Sequence, residues 1–125
     1  MTFNEAALIF TAAYPRTYWE YRTRPHANWL QSTWLQISVC RVRKGATVRR
    51  CGGPGAVVID QAQSSGWLFF VDLDARANWG HECCYVLIGK SGVIAEVDHD
   101  MPPSDNHDMI PVDVDLLYQH PFLAQ

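Results

Sequence analysis

Two apolar runs joined by a tight glycine-bearing turn limit the chain most severely: Cys83 to Ile88, the turn Gly89-Lys90-Ser91-Gly92, and the return Val93 to Val97. Apolar segments this short and this close in sequence satisfy their backbone groups by pairing antiparallel as a hairpin. A hairpin is marginal by itself and needs further strands and a covering layer. The sequence offers both.

Trp34 to Arg43 alternates, with Leu35, Ile37 and Val39 against Gln36, Ser38 and Cys40, the period of a half-buried strand. Lys44-Gly45-Ala46 turns the chain, and Val48 to Cys51 reads as a short return strand. Gly52-Gly53-Pro54-Gly55 is too flexible and too poor in donors to continue in a sheet interior. Ala56 to Asp60 and Trp67 to Leu73 are further strands, separated by the polar connection 61–66.

The covering layer is predicted at the N-terminus. Thr2-Phe3-Asn4-Glu5 is a capping box, and Phe3, Ala6, Ala7, Phe10, Ala13 and Tyr14 recur at helical spacing until Pro15 ends the run. Arg16 to Asn28, with Tyr18, Trp19 and Tyr21, reads as irregular because Arg24-Pro25 interrupts it, and its aromatics are expected to pack on the sheet. The segment 98–111 reads as an acidic, proline-containing loop. Val112, Val114 and Leu116 then suggest a last short strand or a ragged helix. The expected fold class is α+β, an N-terminal helix packed on a four- to six-stranded antiparallel sheet. At 125 residues and 48% hydrophobic content, residues 1–125 are expected to form a single domain.

The N-terminus lacks a basic leader, and no apolar run approaches the ~20 residues that span a bilayer, so a cytoplasmic protein away from the membrane is expected. Cys40, Cys51, Cys83 and Cys84 show no framework spacing, and neighbours on a strand point to opposite faces, so reduced thiols are expected.

The net charge of −3 conceals an asymmetry. All ten Lys and Arg lie at or before Lys90, where the balance is ten against six, or +4; the seven acids beyond it give −7. Such a tail either folds back on Arg41, Arg43, Lys44, Arg49 and Arg50 or offers an acidic face to a basic partner.

The stretch Asn78 to Cys84 collects a base, a carboxylate and two thiols. Cys83 or Cys84 would become nucleophilic if the fold supplied His81, His99 or His107 as a partner; the bland alternative is a buried strand thiol beside a loop histidine. His81, Cys83 and the His99/His107 loop have zinc-ligating side chains but no recognised spacing, so neither a metal nor another cofactor is expected. Asp98, Asp100, Asp105 and Asp108 lack the EF-hand pattern, and the glycines at 52–55 precede a strand rather than Lys-Ser/Thr and a helix. The basic segment, with Trp29 or Trp34 as a stacking platform, could touch phosphates, although the net negative charge disfavours nucleic acid.

From Ala56 onward the order Val-Val-Ile-Asp, Gly66-Trp67-Leu68-Phe69-Phe70, then Cys84-Tyr85-Val86-Leu87-Ile88 closing on Lys90-Ser91-Gly92-Val93 resembles small bacterial immunity domains of polymorphic toxin systems. The likeness covers about a third of the chain and excludes the aromatic segment before residue 35 and the acidic tail. It implies a helix-on-sheet protein that binds and blocks a cognate toxin, for which a basic nuclease is a natural target of the acidic face. The expectation is therefore a non-enzymatic binding module that uses Trp79 with Asp98, Asp100, Asp105, Asp108, Asp113 and Asp115. The alternatives are a small thiol-dependent enzyme built on His81 with Cys83 or Cys84, and a structural homo-oligomer.

Overall fold

A computed structural model describes residues 1–23, 35–53, 56–75 and 77–124. Helix α1, Phe3–Ala13, begins at the predicted capping box: the Glu5 N–H donates to Thr2 Oγ1 at 3.2 Å and the Thr2 N–H to Glu5 Oε1 at 3.2 Å. Phe3, Ala6, Ala7 and Phe10 are buried. Pro15 ends this helix but does not release the chain into a coil. Arg16–Thr23 forms a second helix, α2, correcting the irregular reading. A proline tolerates the positions just before and within a first helical turn, and eight residues fit between it and the Arg24-Pro25 break. Trp19 is fully buried against Phe10 and Tyr14, whereas Tyr21 is exposed, so the aromatics of this segment do not all pack inward.

Five strands follow in one antiparallel sheet: β1 Gln36–Val42, β4 Gly66–Asp72, β5 Cys83–Gly89, β6 Gly92–His99 and β7 Ile110–Val112, in spatial order β6-β5-β4-β1-β7. The short strands β2, Val48–Arg49, and β3, Val57–Ile59, make a separate two-stranded ribbon. The α+β class and the strand number are as expected. The β5–β6 hairpin turns through Lys90-Ser91 between the paired Gly89 and Gly92, whose φ of +124° suits glycine. Trp34 lies outside the described residues.

The sheet is covered on both sides. On one face Ile37, Val39, Phe69, Val71, Cys84 and Val86 pack under α1 and α2, with Phe10 stacked on Phe69 at 4.2 Å. On the other, Cys40, Val42, Leu68, Phe70, Cys83, Tyr85 and Leu87 pack with Val48, Ile59 and Ala62 of the ribbon region. This second core corrects the half-buried reading of β1, because alternation cannot foresee a ribbon folding over the other face. It also places Cys83 and Cys84 in opposite cores, and all four cysteines are free thiols.

Strand β6 runs through His99 and β7 starts at Ile110, so the acidic loop is 100–109 rather than 98–111. The last segment is both strand and helix: α3, Val114–Gln119, follows β7 and is capped by Asp113 Oδ1, which accepts the Leu116 N–H at 3.0 Å. Among the described residues no helix is long and apolar enough to cross a membrane.

Candidate functional site

The ribbon side of the sheet is covered by the ribbon and then by the loop 100–109, and is left open at one end. Because strand residues alternate between faces, Gln36 and Ser38 of β1 and their partners Asp72 and Phe70 of β4 point to this side. The ribbon covers the end near Val42 and Leu68. Beyond it, the loop 100–109 crosses the face, held by main-chain bonds: Cys51 N–H to the Pro102 carbonyl at 2.9 Å and Ser104 N–H to the Arg49 carbonyl at 2.9 Å. Tyr85 Oη adds a 2.7 Å bond to the Met101 carbonyl, and Arg49 N–H donates to His107 Nε2 at 3.0 Å.

The far end stays open. There Gln36, Ser38, Phe70, Asp72, Trp79 and Pro111 line a groove of about 540 Å³. Ser38 and Phe70 also line an adjoining depression of about 340 Å³, bordered by Pro102, Ser104 and Asp105. The two depressions therefore make one trough, with an aromatic wall at one end and the acidic loop at the other.

The aromatic wall belongs to the connection between β4 and β5. Asp72, the last residue of β4, is 8% exposed and accepts the Asp74 N–H at 3.0 Å through Oδ1. His81 Nε2 lies 2.7 Å from the same oxygen, and Nδ1 lies 2.8 Å from the Asn78 carbonyl. The Trp79 indole lies on the imidazole, with centroids 4.4 Å apart and 13° between planes, yet Trp79 is 42% exposed. Burial disfavours charge on His81, but the Asn78 carbonyl and the Asp72 carboxylate outweigh it and raise its proton affinity.

The acids divide into two groups. Asp98 Oδ1 lies 3.0 Å from Arg22, which also reaches Glu82 Oε1 at 2.6 Å, and Asp115 pairs with Arg16 at 2.6 Å. With Asp113 as a helix cap, these three secure α2 and α3. Asp100, Asp105 and Asp108 are exposed in the 100–109 loop, and Asp100 approaches His99 at 3.0 Å. Among the described residues, the cations that meet the C-terminal acids are thus Arg16 and Arg22 rather than the Arg41–Arg50 segment, which meets the loop through its own backbone groups.

Of the histidines, His99 stands directly opposite Cys83 in the β5–β6 register, but the Cys83 thiol is directed at a carbonyl. Cys83 Sγ donates to the Met101 carbonyl at 3.5 Å, and burial pushes its thiol up to about 12. Cys84 is raised further, again first by burial. Both nitrogens of His81 already face oxygens, leaving none directed at a thiol. Among the described residues, no three His, Cys, Asp or Glu side chains converge as metal ligands. Arg41 lies over Trp67 at 5.0 Å, and Trp29 and Trp34 lie outside the described residues.

Of the residues expected to bind a partner, Trp79 and Asp105 line the trough, together with Phe70, Asp72, Gln36 and Ser38, which the sequence did not single out. The available signal was Asp72 itself, a carboxylate near the end of the apolar run Trp67–Leu73 with a histidine nine positions later. Comparison with protein-family models, curated proteins and solved structures gives no match to this chain.

Proposed function

We propose that the chain is a non-enzymatic protein-binding module, of the immunity or inhibitor kind, that receives a basic partner in the trough between Trp79 and Asp105. The observation behind this reading is Trp79: a large aromatic side chain left 42% exposed, yet held in place by a ring stack at the mouth of an open groove. Such a side chain is already ordered before contact, so it anchors a partner at a small entropic cost. Asp100, Asp105 and Asp108 would steer a basic surface toward it, within a region that bears the chain's excess negative charge.

Native mass spectrometry of the protein captured from the cells that make it tests the proposal. The expected species is a stoichiometric complex with a second, basic protein. Trp79→Ala should weaken that complex at least ~10-fold, as expected of an aromatic anchor, and Asp100→Asn/Asp105→Asn/Asp108→Asn should reduce its salt dependence. A complex indifferent to both variants, or a chain recovered only with copies of itself, would overturn the assignment.

A further inference from the structure

His81 is placed between two hydrogen-bond acceptors. The Asn78 carbonyl can only accept, and Asp72 Oδ1 is already accepting the Asp74 N–H, so both contacts are satisfied together when the ring donates from both nitrogens. The ring is then an imidazolium. Its side chain is 8% exposed, and the Trp79 indole on its face gains a cation–π attraction.

Among the described residues, the ionisable groups named against the ring favour or tolerate that charge. Asp72 comes from β4 and Asp74 from the loop; Cys83, opposite Asp72 on β5, is a neutral thiol. From beyond β6, Asp100 belongs to the residue whose carbonyl accepts the Gly80 N–H at 3.1 Å.

We propose that protonated His81 is a pH-operated latch: it ties the Asn78–Gly80 turn to the end of β4, holds Trp79 at the groove mouth, and releases it when the proton leaves. Deprotonation turns one nitrogen into a lone pair facing an oxygen and removes the cation beneath the indole. The consequence for binding, a partner held more weakly as pH rises, rests on the docking role proposed for the groove. The latch itself does not.

Nitrogen-15 and proton NMR of the isolated full chain, with labelled histidine and tryptophan, tests it between pH 5 and 10 without a partner. At pH 6 both nitrogens of His81 should be protonated. The midpoint should lie above the ordinary ~6.5, the Trp79 indole resonance should move with the same midpoint, and Asp72→Asn should lower both together. A His81 midpoint at or below ~6.5, or a Trp79 signal that does not follow His81, overturns the latch. If Asp72→Asn does not fold, the wild-type midpoint and its coupling to Trp79 decide the matter. Failure here leaves the docking role standing, whereas a raised His81 midpoint followed by Trp79, in a protein that captures no partner, counts against docking alone.

Discussion

Asp72 Oδ1 lies 2.7 Å from His81 Nε2, joining the end of a central strand to the loop that presents Trp79. The pair belongs at once to the stability of the sheet end and to the shape of the groove. His107, on the other side of the trough, is held in the opposite sense: burial first, then Arg49, lowers its proton affinity, and Nε2 accepts a main-chain N–H.

The two histidines predict opposite pH dependences. The raised His81 contributes stability that is full below its unfolded value near ~6.5 and is lost as pH rises through its higher folded value. For the lowered His107 the unfolded chain holds the extra proton between the two values, so stability falls as pH drops through ~6.5. Urea denaturation from pH 5 to 9 should show Asp72→Asn costing about 1.5–3 kcal/mol at pH 6 and much less at pH 9. His107→Gln should flatten the acid side. A cost for Asp72→Asn that does not change with pH would remove the charged pair from the explanation.

Two facing glycines separate main-chain from side-chain crowding. A Cβ on Gly66 would run into the Ile88 carbonyl, part of the ladder, whereas one on Gly89 would first meet the end of the Ile94 side chain. Gly66→Ala should therefore cost about 1–3 kcal/mol and Gly89→Ala distinctly less, since Ile94 can rotate away. Thermal denaturation of the two variants checks the order, and equal losses would contradict it.

Arg22 secures the second helix through Glu82 and Asp98 while its guanidinium lies 5.6 Å from the Trp19 ring. Its side chain is 15% exposed, but those of Glu82 and Asp98 keep 40% and 66% of their surface in water. Arg22→Met should accordingly cost about 1–2 kcal/mol, below the loss expected for a fully buried pair. The difference from wild type should shrink in high salt. A salt-independent loss in chemical denaturation would assign the effect to packing on Trp19.

The architecture was legible where local patterns act alone. The Thr2/Glu5 box, the stripe through Phe10 and the Gly89–Gly92 hairpin each determine their own geometry. Helix α2 was not, because Pro15 and the Arg24-Pro25 break suggested an interruption although the residues between them can still complete two turns. The burial of Cys40 and Val42 depends on a ribbon arriving from β2 and β3, which no periodicity in β1 encodes. At the site, exposed Trp79 could be picked out by its setting among polar residues. Phe70 could not, because in sequence it is one more apolar residue of a buried strand; only the open end of the ribbon face gives it a role. Asp98 and Asp115 likewise looked like their loop neighbours until the fold placed arginines beside them.

The four thiols give the sharpest test of whether the Cys/His arrangement has any chemistry. Burial pushes Cys40 up to about 11 and Cys83 up to about 12, and Cys84 higher still, while Cys51 is only partly buried. A thiol becomes a nucleophile as its thiolate, and at pH 8 a group titrating near 11 is ionised about one part in a thousand. In the folded protein an aromatic disulfide reagent should thus modify one cysteine per chain quickly, mapped by peptide mass to Cys51. The other three should react at the rate of unfolding and together once denaturant is added. Rapid modification of Cys83 or Cys84 in the native state would require the sheet to open around them. That result would return weight to a thiol-dependent enzyme.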